Sequence, residues 1–177
     1  MHEEYYGRSR GCGDPESPRR IPGALKREEM DERQIMKGTV VSIQCCPGHR
    51  KPMRSVRQVD VMEDLGLRGD RHALSGSSRQ VLLIEKETLD AVGLQPGDVG
   101  ENITTAGVEL MRLRLRDRLK IGGEVILEMT KPCSPCSRME EIREGLLREL
   151  AGRRGMLSRV VRGGSISVDD PVEVIPG

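Results

Sequence analysis

The residues best suited to chemistry lie in one short stretch, Thr130 to Glu140, read Thr-Lys-Pro-Cys-Ser-Pro-Cys-Ser-Arg-Met-Glu. Cys133 and Cys136 have the C-x-x-C spacing of thiol redox proteins, and such pairs sit at helix N-termini, where free N–H groups favour thiolate over thiol. Ser137 with Glu140 three residues on is a capping-box pattern, which makes Ser137 an N-cap and leaves Cys136 just outside the first turn. The same helix end would favour a bound phosphate. Pro132 and Pro135 donate no hydrogen bonds, so shape holds the loop. The alternative for Cys136 is a small apolar filler beneath a helix end.

Three further groups carry reactive side chains. Gly69-Asp70-Arg71-His72 places a carboxylate beside a histidine, a pairing that tunes an acid–base group near neutral pH; the plainer reading is a solvated loop. Gly100-Glu101-Asn102 could fix a polar heterocycle through amide hydrogen bonds, or form an Asn-capped turn. Arg112, Arg114, Arg116 and Arg118 alternate with apolar residues like the solvated face of a strand, whereas Arg153 and Arg154, near a helix end, could hold a phosphate. Four thiolates for zinc (Cys45, Cys46, Cys133, Cys136) fit poorly, because an adjacent pair is not a zinc knuckle.

The elements that must position these groups are mostly strands. Lys37–Gln44, Ser55–Met62, Gln80–Ile84, Arg118–Ile121, Val125–Met129, Arg159–Arg162, Ser165–Val168 and Val172–Ile175 have strand composition, punctuated by glycine turns. The first two are expected to form a hairpin across Cys45–Arg54. Lys86–Val92 reads as one or two helical turns ending at Gly93, and the spacing of Ile142, Leu146, Leu147 and Leu150 predicts one helix over 139–151, closed by Gly152. Many short strands with few helices indicate a β-rich barrel or sandwich.

Composition narrows the function. The chain of 177 residues has 29 basic and 28 acidic side chains, no Phe or Trp, and only Tyr5 and Tyr6 as aromatics. Base stacking on aromatic platforms and an electrostatic footprint for duplex DNA are both missing, so no nucleic-acid partner is expected. No apolar run reaches the roughly 20 residues that cross a bilayer, and five cysteines, an odd number, look like reduced thiols. The expectation is a cytoplasmic protein with no membrane partner. Residues 1–34 read as a disordered N-terminal tail, with one folded domain over 35–177.

Taken in order, Gly69-Asp70-Arg71-His72, Arg79 to Ile84, Gly100 to Thr105, Leu119 to Gly122, Pro132 to Cys136, Gly155-Met156 and Val168 to Val172 resemble the MOSC domain, the C-terminal domain of molybdenum cofactor sulfurases, in its small stand-alone bacterial form. The resemblance implies a single β-barrel-like domain, mainly β with a few helices, that binds a molybdenum cofactor (molybdopterin); a pyridoxal phosphate label also attaches to the family. Cys136 matches the characteristic cysteine, implied as the metal ligand or sulfur acceptor. Arg71 matches an arginine that contacts the pterin phosphate, and His72, Glu101, Asn102 and Thr104 fall in the segments that line the cleft. Two positions depart from the family pattern: Cys133 stands near a common arginine, and Asp169-Asp170 replaces Gly-Asp in a turn. The implied activity is reduction of an N-hydroxylated small substrate. With no Rossmann glycines and no iron–sulfur cysteine set, electrons would come from a separate reductase. A non-enzymatic cofactor or sulfur carrier is the alternative, and a dithiol oxidoreductase a further one.

Overall fold

The structure, a computed structural model, describes residues 37–175, so the tail expected over 1–34 lies outside the described residues. Eleven strands dominate the described residues: β1 (Lys37–Cys45), β2 (Arg54–Val56), β3 (Gln58–Met62), β4 (Gly66–Leu67), β5 (Val81–Glu85), β6 (Ile103–Ala106), β7 (Arg118–Ile121), β8 (Val125–Pro132), β9 (Met156–Arg162), β10 (Gly164–Ser167) and β11 (Pro171–Ile175). Three short helices join them, α1 (Lys86–Ala91), α2 (Arg138–Ile142) and α3 (Leu146–Glu149). The pairing order β11-β7-β8-β9-β5-β6-β1 closes on itself through β11–β1, giving a seven-stranded barrel. Strand β2 adds to the end of β1, while β10, β3 and β4 form a separate small sheet.

The sequence patterns explain which strands are half covered and which are fully covered. In β7 and β11 buried and less buried residues alternate, so one face packs inward. Strand β5 reads Val-Leu-Leu-Ile and all four are buried, because it is covered on both sides. Val81 and Leu83 face the barrel core, Ile84 joins the cluster that packs α1, α2 and α3, and Leu82 joins Cys133 and Leu157. The aromatic-free core is filled by branched aliphatics, among them Ile43, Leu83, Ile103, Leu119, Ile121 and Leu127 at 0% exposure.

Four expectations need correction. Ser55–Met62 is broken at Arg57: only β2 pairs with β1, and β3 leaves for the small sheet. Ile103–Ala106, absent from the strands expected, is a barrel strand that pairs in parallel with β5. The arginine series is a strand only at Arg118, because Arg112 lies in a 3₁₀ turn and Arg116 has a left-handed φ of 74°. The single helix over 139–151 is two, divided at Gly145 (φ 81°). Glu140 explains the division. Its carboxylate accepts from the N–H groups of Gly145 (2.8 Å) and Leu147 (2.9 Å), capping α3, so it does not complete a capping box with Ser137, whose side chain makes no cap bond.

The turn at Asp169-Asp170 holds Asp169 at φ 75°, where a glycine would be relaxed. Asp169→Gly is expected to raise stability by a few tenths of a kcal/mol up to about 1 kcal/mol, read from the denaturant midpoint.

Candidate functional site

Loops from several strands meet over the outer face of β5 and β9 around a cavity of about 470 Å³, within the range of small-ligand sites. Leu82 and Leu157 are cross-strand partners in the β5–β9 ladder, and with Cys133 they form its apolar floor. Gly155 permits this close approach. With φ at 95°, a Cβ there would stand 2.0 Å from the Leu83 carbonyl oxygen, and the Gly155 carbonyl accepts the Cys133 N–H at 2.9 Å. Gly155→Ala is therefore expected to cost about 2–3 kcal/mol in a denaturant titration, and to loosen the cysteine segment with it.

The cysteine segment leaves β8 and runs into α2. Cys133 is buried and Cys136 is exposed; both are free thiols and both line the cavity. Met139, 1% exposed, sinks into the cluster beneath the helices and its N–H bonds the Cys136 carbonyl at 2.9 Å, which pins the loop. The helix that follows is five residues long, so a macrodipole has little length over which to build. The positive charge comes from side chains instead. Lys51, Arg71, Arg79, Arg138 and Arg154 all line the cavity, and its lining contains no Asp or Glu.

On the opposite wall, Asp70 organises the loop after β4. Its side chain is fully buried, and its two oxygens accept from the N–H of Cys46 (2.6 Å), the amide of Asn102 (2.9 Å), the N–H of His72 (2.7 Å) and His72 Nδ1 (2.9 Å). Burial pushes the carboxyl up, but the bonds from His72 and Cys46 outweigh it and hold the group below its ordinary value. A carboxylate can only accept, so Nδ1 of His72 is the donor in this bond. Arg71 is exposed on the same loop, its Nη1 3.0 Å from His49 Nδ1.

Asn102 lines the cavity, yet its amide is occupied. Oδ1 accepts the Leu82 N–H at 3.1 Å, and Nδ2 donates to the Gln44 carbonyl at 3.2 Å and to Asp70. It braces β1, β5 and the Asp70 loop. Glu101 and Thr104 are absent from the lining: both are at 0% exposure, and Thr104 donates to Glu101 Oε1 at 3.1 Å behind the wall. Burial pushes the Glu101 carboxyl up, against the Gly97 N–H, the Thr104 hydroxyl and the charge of Arg154. The cavity thus brings together Cys136, Arg71, His72 and Asn102, and leaves Glu101 and Thr104 as support. Lys51 joins without having been singled out, Cys46 had been weighed only as a zinc ligand, and Arg154 had been read, with Arg153, as a possible phosphate holder. For Arg154 the signal was present in the arginine pair before Gly155.

The four cysteines once weighed as zinc ligands do not converge: Cys45 opens onto a different cavity, with Arg54 and Arg68, and among the described residues no cluster of His, Cys, Asp and Glu is arranged to hold a metal ion. Nor, among these residues, is any helix long and apolar enough to span a membrane.

The model of the MOSC domain matches residues 69–173, more than half of the chain and every segment of the cavity except the Cys46–Met53 loop. The chain belongs to the MOSC domain family. Solved structures agree on the fold. The YuaD protein from Bacillus subtilis is similar with a TM-score of 0.70 and 18% identity, over 80% of this chain and 97% of that one. YiiM from Escherichia coli is similar with a TM-score of 0.60 and 20% identity, over 78% of this chain and 70% of that one. YiiM from Geobacillus stearothermophilus has a TM-score of 0.61 and 19% identity over 78% and 75%. No curated protein matches the sequence. MOSC domains are linked as a family to molybdenum cofactor binding.

Proposed function

We propose that the cavity binds a molybdopterin-type molybdenum cofactor and that Cys136 is its protein ligand to the metal. The observation that carries this reading is a free, exposed thiol and five cationic side chains on one carboxylate-free cavity. The donor set fits the group. A thiolate suits a metal already held by soft sulfur, the cations suit a phosphate, and the Leu82–Leu157 floor gives a flat heterocycle an apolar surface. When bound, the cofactor supplies a redox-active metal centre.

The chain's own residues then have separable tasks. Cys136 would hold the metal. Asp70 and Asn102 would fix the loops around it, and His72, its Nδ1 committed to Asp70, would offer Nε2 as a hydrogen-bond acceptor to a ligand. In the enzymatic reading, an N-hydroxylated substrate takes up two electrons and two protons and leaves as the amine and water. The electrons come from a separate reductase. Cys136 is also open enough to act as a carrier of cofactor or sulfur without turnover.

Metal analysis of the protein purified from molybdate-supplied cells tests the binding, and reduction of an N-hydroxylamine with an artificial electron donor separates enzyme from carrier. Near-stoichiometric molybdenum with turnover is expected. Molybdenum without turnover assigns the carrier role, and protein free of molybdenum and pterin from such cells removes the proposal.

A further inference from the structure

Arg154 differs from the other cations of the cavity. Lys51, Arg71, Arg79 and Arg138 are exposed, whereas Arg154 is 6% exposed. Its Nη2 donates to the Val99 carbonyl, and neither Nε nor Nη1 has a hydrogen-bond partner. Three of the five guanidinium N–H bonds sit on those two nitrogens. Among the described residues no carboxylate forms an ion pair with it; Glu101 feels its charge, but Glu101 Oε2 is itself without a partner, so the two groups do not bond each other. Burial pushes the Glu101 carboxyl up and the charge of Arg154 pulls it back, so the two groups meet only through space. A buried cation short of partners is costly, and an anion supplied from outside would offset that cost.

We propose that Arg154, and not the exposed Arg71, is the residue that anchors a phosphate group in this cavity. That the phosphate is the cofactor's rests on the reading above; that the site takes a phosphate rests on Arg154 alone. Arg71 is screened by solvent and has its guanidinium against His49, so it steers an anion more than it holds one. Arg154 is anchored at one end by the Val99 carbonyl, so less rotamer freedom is lost when the anion arrives.

Inorganic phosphate is the probe, titrated into the full chain without cofactor at constant ionic strength and followed by thermal melting. Phosphate is expected to raise the melting temperature of the wild type. Arg154→Met should weaken its apparent Kd by more than about tenfold, and Arg71→Gln by less than about threefold. The phosphate-free Arg154→Met protein should melt at or above the wild-type temperature, since a buried charge without a partner has been removed. A structural arginine gives the opposite result, a lower melting point and an unchanged phosphate response, and overturns the proposal. So does a wild type that phosphate does not stabilise. If the methionine variant fails to fold, the Arg154 Nε–H resonance of the wild type decides. A saturable shift on phosphate addition supports the assignment and a stationary signal overturns it. Protein that binds phosphate through Arg154 yet carries no molybdenum would sink the cofactor reading and leave this one standing.

Discussion

Cys136→Ser is expected to remove molybdenum from the purified protein and abolish N-hydroxylamine reduction, while the fold is untouched. The thiol is exposed and, among the described residues, makes no hydrogen bond, so the melting temperature should stay within about 2 °C, as for other surface substitutions. Metal content should fall by more than about tenfold, because changes one layer further from a metal already cost 10–100-fold. Cys133→Ser is the decisive companion. Cys133 packs against Leu82 and Leu157, and a hydroxyl there should lower stability by about 1 kcal/mol while metal and activity persist. Equal loss of activity in both variants would instead assign a dithiol mechanism. Retained molybdenum and turnover in Cys136→Ser would end the case for Cys136 as ligand.

Asp70→Ala should be the most damaging substitution for stability outside the barrel core, at about 4 kcal/mol. It strands the Cys46 N–H and the Asn102 amide in the interior and frees His72, removing an acceptor of four hydrogen bonds. The sign of its pH dependence follows from the depressed folded value. An acid with a lower pKa folded than unfolded stabilises the fold above the unfolded value of about 4, and that contribution disappears as pH falls through the folded value. Denaturant midpoints measured from pH 7 down to pH 3 should therefore drop steeply in the wild type and less steeply in Asp70→Ala. Parallel slopes would show that Asp70 is not ionised in the fold.

Both predictions concern residues that stood out before any coordinates, Cys136 and the Asp70–His72 pair. The loops that carry them are short and chemically dense, so residue type and spacing sufficed. Gly93 likewise ended α1 as read: its φ is 69° and the Leu94 N–H reaches back to the Leu89 carbonyl at 2.9 Å. The roles within the site were less legible. Asn102 was a candidate for orienting a heterocycle, but its amide is taken up by Leu82, Gln44 and Asp70, partners 20 to 58 residues away. Glu140 fitted a capping box, but Gly145 and Leu147 offered its carboxylate two better-placed N–H groups.

What the sequence determined by itself was the inventory: β-rich elements in order, a branched-aliphatic core, an anion-attracting set of arginines and one cysteine at a strand end. Local periodicity and turn chemistry encode these within a few residues of each position. The tertiary structure decided the rest: that β11 returns to β1 and closes the barrel, that Arg153 is half buried while Arg154 turns inward, and that Thr104 supports the wall from behind. Those outcomes depend on which distant backbone carbonyl or carboxylate arrives beside a side chain. A hydrogen-bond partner across the barrel leaves no mark in the neighbouring sequence.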